Sequence, residues 1–370
     1  MEINHDGMAA TFRQATEADN DLECYDHTKL AAINTCPTWG ILRYQMHRRM
    51  PMVGRALALE AGQAMHQVFA FVRLVSLCDQ CHQRGHDKDY VDKLWAYHGT
   101  RLFGYERFQH LQSVVSEAED LVDVAKRGSI GVLDTSGYYD DPRDKRRTLS
   151  NMEECCYAYI NRWRWDHPVW MRDLSDPTSD VGIEIPFDIV CEILTSEPRT
   201  TKFRFTGRID GIHYDAMQRL TVHDNKTASR LGDAWTMAQE VNHQYTGYCV
   251  AAQVFTQQVV SRCDVLGLAI PLPRSYDYGG FAREGMQRDI HHIERWLQWL
   301  VHTITLTRQY ADNPFAAPKY THSCNRYFRP CSFIPFCYSN DKDQRHMITE
   351  MEIDEWSPLN KEVLEGVGNE

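Results

Sequence analysis

Residues 203–228 read FRFTGRIDGIHYDAMQRLTVHDNKTA. Phe203 to Ile209 and Leu220 to Asn225 are short runs rich in β-branched and aromatic residues, with turn residues between them. Such runs predict two consecutive strands. Side chains alternate across a strand, so Asp224 and Lys226 project together while Asn225 turns away and can offer its carbonyl. If the strands pair as a hairpin, Asp210 of Gly207-Arg208-Ile209-Asp210-Gly211-Ile212 comes within reach of Asp224. Two carboxylates so close repel unless a cation sits between them, and oxygen ligands of this kind suit Mg²⁺ or Mn²⁺. A lysine beside that cation can stabilise charge developing on a phosphate or orient a water. Asp-x-Lys by itself is common on solvated strand edges. The second acid at the matching point of the neighbouring strand is what gives it weight.

Working outward, Val181 to Val190 reads as a preceding strand, with Glu184 on it a further possible acid, although an ordinary strand-face glutamate is the plainer reading. A helix over 235–258, a strand over 264–270 and an amphipathic helix over 283–311 follow. Upstream, helices are expected over 28–33, 56–77, 105–127 and 152–165. The first stops at Cys36-Pro37, because proline disfavours a helical residue before it. The turn-rich stretch 128–147 reads as a mobile loop. The expected class is therefore α/β, a mixed central sheet flanked by helices. The expected blocks are a loose N-terminus (1–27), a helical region (28–180), a core (181–311), a Cys-rich segment (312–340) and an acidic tail (341–370).

The 370 residues are 43% hydrophobic and 25% charged, ordinary globular values. No run is long and apolar enough to cross a membrane, and the polar, acidic Met1–Asp6 has no signal-peptide character. The chain is expected to be cytoplasmic. A net charge of −11 argues against adhesion to nucleic acid by bulk charge, though not against a local basic groove.

Two further elements carry chemistry. His66 is the single histidine in the apolar stretch 56–77, with Gly62 one turn away, where another backbone could approach closely. A core or boundary histidine is the plainer reading of His66 alone. Gln244 and Tyr248 share one helix face and can hydrogen-bond or stack on a nucleic-acid strand, or simply pack. Taken in order, Gly62…His66, Gly207…Asp210, Asp224-Asn225-Lys226 and Gln244…Tyr248 resemble the RecB-like branch of the PD-(D/E)XK nuclease superfamily. That branch includes CRISPR-associated exonucleases and phage relatives. The resemblance spans roughly 28–340. It implies a restriction-endonuclease-like core in which His66, Asp210 and Asp224 hold the metal with help from Asn225. It makes Lys226 the catalytic lysine and Gln244 and Tyr248 the helix pair beside the site. Asp224 departs from the glutamate of many relatives, and either carboxylate can ligate.

Twelve cysteines are many for a chain read as cytosolic, where clustered cysteines more often mean metal than disulfides. Cys324, Cys331 and Cys337 are spaced C-x6-C-x5-C, and Cys36 stands near the other terminus. Zinc prefers paired knuckles, and four thiolates suit an iron–sulfur cluster equally well. RecB-like and AddB-type nucleases carry one N-terminal and three C-terminal cysteines that bind a [4Fe–4S] cluster. The resemblance thus implies that these four do so here, although the x6 gap is wider than in many relatives. Unrelated buried thiols are the alternative. Cys78-x-x-Cys81-His82, followed by His86, is a rival half-site for zinc.

Phosphate contacts are expected from His47, Arg48, Arg49 and Arg55 and from Arg143, Lys145, Arg146 and Arg147, with Trp39 and Tyr44 available to stack bases. The expectation is a Mg²⁺- or Mn²⁺-dependent DNA exonuclease acting on single-stranded ends, in phage or prokaryotic recombination, repair or replication, with a helicase or recombination partner. The alternatives are a non-cleaving nuclease-like module that binds DNA or a helicase, and an endonuclease.

Overall fold

The computed structural model describes residues 1–5, 8–50, 56–163, 166–194, 200–272, 280–326 and 329–356. The protein is α/β, with a mixed central sheet flanked by helices. The chain begins with β1 (Glu2–His5), β2 (Met8–Gln14), β3 (Cys24–Tyr25), α1 (His27–Thr35), α2 (Pro37–Gly40) and β4 (Arg48–Arg49). Five helices follow: α3 (Leu57–Gln83), α4 (Lys88–Phe103), α5 (Tyr105–Val115), α6 (Leu121–Asp134) and α7 (Leu149–Trp163). Next come β5 (Ile183–Leu194), β6 (Thr200–Tyr214), β7 (Leu220–Ala228), α8 (Asp233–Glu240), α9 (His243–Thr256), β8 (Arg262–Ala269), β9 (Phe281–Gln287) and α10 (Ile290–Gln309). The C-terminal segment holds β10 (Asn325–Arg326), β11 (Arg329–Pro330), α11 (Ile334–Tyr338), α12 (Asp341–Glu350) and β12 (Glu352–Ile353).

Two compact units interleave along the chain, in place of the consecutive blocks read from the sequence. One draws on Met1–Arg55, Asp188–Gly207 and Asp289–Leu359, the other on Ala56–Phe187 and Arg208–Arg288. In the first unit, β2 pairs antiparallel with β5, Phe12 opposite Cys191. This is why the expected loose N-terminus is ordered: Ala10 and Phe12 alternate inward and are buried. Trp296 of α10 is buried against the rings of Phe12 and Phe205. Asp26 caps α1, accepting from the Thr28 and Lys29 N–H groups, and α1 ends at Thr35 as the following Cys36-Pro37 requires. Leu42, Phe333, Phe336 and Met351 form a small separate core.

In the second unit, β6 and β7 form an antiparallel hairpin with Gly211 opposite His223 and Ile212 opposite Val222. β7 and β8 are parallel, Asp224 opposite Val265 and Lys226 opposite Gly267, with α8 and α9 in the crossover. The helix expected over 235–258 is two helices, because Asn242 leaves the helix and caps α9 at the Gln244 N–H. Likewise 283–311 divides into β9 and α10, capped by Asp289, and 105–127 into α5 and α6, capped by Asp120. The turn-rich loop starts later than expected, since α6 runs to Asp134. α3 contributes more residues to this unit's core than any other element, and α6 packs closely on it. A Cβ at Gly128 would lie 2.1 Å from the Phe71 ring, so only glycine fits there.

Candidate active site

The hairpin register puts Asp210 and Asp224 one step beyond the Gly211–His223 pair, opposite each other on neighbouring strands. The Asp210 carboxylate accepts the Asn225 main-chain N–H at 2.8 Å and lies 3.3 Å from His66 Nδ1. Asp224 and Lys226 share a face, as alternation requires, and form an ion pair at 2.8 Å. Asp224 is buried and Lys226 half-buried. The Asn225 side chain faces the other way and accepts from the Tyr159 hydroxyl at 3.3 Å. Gly62 faces Thr227, and a Cβ there would sit 3.4 Å from Thr227 Oγ1, an ordinary contact.

His66, Glu184 and Asp210 each place one ligand atom within 4.8 Å of the other two. Glu184 was expected as a further possible acid, with a strand-face glutamate the plainer reading. Its backbone has φ +47°, a left-handed conformation that costs free energy for a residue with a Cβ. Arg101 donates to the carbonyl of the preceding Ile183 at 2.9 Å. The signal in the sequence was an acid between Ile183 and Ile185 in an apolar run. The turn that aims it had no signal.

The charges are out of balance for a site with no cation. Burial pushes the Glu184 carboxyl up to about 8, with Asp210 adding to the rise. Burial also pushes Asp224 up to about 6, against the pull of Lys226. For His66, burial opposes the charged form, but Asp210 and Glu184 outweigh it and raise the imidazole to about 9. Asp210 is held below its ordinary value because His66 and Lys226 together outweigh its burial. Protons on Glu184 and His66 thus offset excess negative charge, a role that a divalent cation could also fill. The oxygen-rich donor set with one imidazole suits Mg²⁺ or Mn²⁺.

On α9, Gln244 Nε2 donates to the Tyr248 hydroxyl at 2.8 Å, so the two share a face. Tyr248 is buried, its ring edge-on to Phe187 at 5.9 Å. It is therefore a packed residue as well as a hydrogen-bonding one.

Four of the expected phosphate-binding cations, Arg49, Arg143, Arg146 and Arg147, already have acidic or carbonyl partners. Arg49 pairs with Glu352 at 2.8 Å and Asp354 at 3.3 Å, and β4, which carries Arg48, pairs with β12. The His47 side chain accepts the Trp356 N–H. Arg143 pairs with Asp141, Arg147 with Asp144, and Arg146 donates to the Ser229 and Ile270 carbonyls. Arg55 lies outside the described residues. Trp39 and Tyr44 meet edge to face, 6.4 Å between centroids.

Cys36, Cys324, Cys331 and Cys337 belong to one unit. The Cys331 N–H donates to the Cys324 carbonyl at 2.7 Å. Burial pushes the Cys337 thiol up to about 11, and Cys36, Cys331 and Cys324 each add to the rise. Cys331 is raised in the same way, by burial and then by Cys36 and Cys324. Cys36 and Cys324 therefore lie near enough to Cys331 and Cys337 to disfavour the thiolates of those two, although among the described residues no three of the four sulfurs lie within 4.8 Å of one another. Cys78 and Cys81 are buried along α3, where burial raises both thiols, and Cys81 Sγ contacts Met171 Sδ at 3.8 Å. Among the described residues they join no group of three ligand atoms.

No protein-family model matches the chain, and no curated protein matches it in sequence. Among the described residues, no helix is long and apolar enough to cross a membrane.

Proposed function

We propose that the protein is a metal-dependent deoxyribonuclease of the RecB-like PD-(D/E)XK type, an exonuclease acting on single-stranded DNA ends. The observation that carries this reading is the hairpin site: Asp210 grouped with His66 and Glu184, and the Asp224–Lys226 pair on the adjoining strand.

His66, Asp210 and Asp224 would hold a Mg²⁺ or Mn²⁺ ion, with Glu184 joining them and Asn225 assisting. When bound, such an ion offsets charge on the phosphoryl oxygens and lowers the pKa of a coordinated water. Lys226 keeps its proton: burial opposes the charge, but Asp224 and Asp210 outweigh it. It can therefore donate a hydrogen bond to a phosphate oxygen as negative charge builds there. The Asn225 N–H bond fixes the Asp210 carboxylate, so the ligand is oriented before any substrate arrives. Cys36, Cys324, Cys331 and Cys337 would hold a [4Fe–4S] cluster that ties distant parts of the chain together.

The test is digestion of linear and circular single-stranded DNA with Mg²⁺ or Mn²⁺, using Asp210→Asn as the control for a contaminating nuclease. Linear DNA should be consumed and circular DNA spared. Cutting of the circle would make the enzyme an endonuclease. Binding without cutting of either would leave a nuclease-like module that holds DNA or a helicase.

A further inference from the structure

His223 and Asp224 are consecutive on β7, so their side chains leave opposite faces of the sheet. On the His223 face, Gly211, His223 and Asp264 lie in one row across β6, β7 and β8, and His213 is two residues along β6 from Gly211. His167 reaches the same place from the segment before β5. Val169 there bridges His213, and the Tyr214 N–H donates to the Pro168 carbonyl. The backbone of His167 has φ +52°, which turns its ring onto that of His213 with centroids 4.7 Å apart and planes within 12°.

His213 Nε2 is 3.5 Å from an Asp264 carboxylate oxygen, and His167 Nε2 is 3.9 Å from the same oxygen. One ligand atom from each of the three residues lies within 4.8 Å of the other two. Ligands about 2.0–2.1 Å from a tetrahedral zinc stand about 3.3 Å apart, close to these separations. His213 is 1% exposed; its Nδ1 has no hydrogen-bond partner among the described residues, and its Nε2 has only the Asp264 carboxylate at 3.5 Å. A buried imidazole in that state needs a ligand or a trapped water. Two cations face the cluster, and each is engaged beside it. Arg73 donates to the His223 ring and to the Asp166 carbonyl. Arg283 pairs with the Asp166 carboxylate, its Nη1 3.4 Å from His167 Nε2. Among the described residues, no lysine or arginine forms an ion pair with Asp264.

We propose that His167, His213 and Asp264 form a second metal site, on the opposite face of the sheet from the hairpin carboxylates, which takes a divalent transition-metal ion, zinc fitting best. Two imidazoles and one carboxylate are zinc donors, whereas the hairpin site is richer in oxygen. Three protein ligands would leave a fourth coordination position open, and His167 is the one partly exposed member of the set.

The test is metal counting on zinc-loaded, desalted protein, together with the visible spectrum after Co²⁺ loading. Wild-type protein should retain one more equivalent of zinc than His167→Ala or Asp264→Asn. The Co²⁺ bands of an imidazole–carboxylate site should persist in Asp210→Asn and in Cys331→Ala but vanish in His167→Ala. Circular dichroism checks that each variant is folded, and two independent variants guard against one that is not. An unchanged zinc count in the folded variants, or Co²⁺ bands lost only in Cys331→Ala or Asp210→Asn, would overturn the site.

Discussion

On the proposed reading the hairpin carboxylates and the C-terminal cysteines would both hold metal, and they are built differently. The first are hard ligands on two neighbouring strands and a long helix, fixed by the ladder, by the Asn225 N–H and by the Lys226 ion pair. The second are soft thiols at a helix junction (Cys36), in loops (Cys324, Cys331) and on the short α11 (Cys337), beside a small core of Leu42, Phe333, Phe336 and Met351. The hairpin keeps its shape through backbone pairing that no ion has to supply. The cysteine segment has a small core of its own, so metal bound there would contribute directly to folding. The difference teaches that removing metal should affect the two regions in different ways, activity in one and integrity in the other.

The sharpest way to break that contrast is Cys331→Ala. Cys36 and Cys324 stand 288 positions apart, and cross-linking so long a loop stabilises by about 5 kcal/mol on the entropic model of disulfides. The variant should lose the visible absorbance of anaerobically purified protein and much of its soluble yield. Cys78→Ala should leave the colour unchanged. Colourless wild-type protein with stoichiometric zinc in these thiols would replace the cluster by structural zinc.

Next in size are the hairpin variants. Lys226→Ala should reduce cleavage by about 10²–10³-fold, as for loss of one donor to a developing charge, and Asp210→Asn should abolish it. Both should melt as cooperatively as wild type. A Lys226→Ala enzyme of full activity would remove the catalytic assignment.

A smaller effect tests the charge imbalance. Glu184 is raised from 4.5 to about 8 and His66 from 6.5 to about 9 in the folded chain. Both bind protons more tightly folded than unfolded, so both stabilise at low pH, and that stability is lost as pH rises through their folded values. Metal-free protein should therefore lose melting temperature between about pH 5 and 9. Glu184→Gln should flatten the slope, and Mn²⁺ should restore stability in wild type more than in the variant. A flat profile in wild type would show that the site is not charge-strained.

The smallest expected effect separates packing from function on α9. Tyr248→Phe removes the hydroxyl that accepts from Gln244, a bond worth about 0.5–1.5 kcal/mol, and should weaken substrate use with little change in melting. Tyr248→Ala also empties the contact with Phe187 and should cost about 3–5 kcal/mol of stability. Equal melting of the two variants would mean the ring is not a packing element.

The residues 203–228 determined the hairpin by themselves, because strand periodicity and turn chemistry are local properties. They also determined that Asp224 and Lys226 share a face, since alternation needs no tertiary contact. The helix stop at Cys36-Pro37 was legible for the same reason. Helix breaks at Asn242 and Asp120 were missed, because a capping residue inside an apolar-periodic stretch does not disturb the pattern around it. The N-terminal strands were missed because what orders them is pairing with β5, nearly two hundred residues away. Only the tertiary structure decided that Glu184 joins His66 and Asp210, through a left-handed turn that no residue pattern reports. Only it brought His167, His213 and Asp264 together from three separate segments. Ligand atoms converge through register and chain crossing, and sequence spacing records neither when the partners are this far apart.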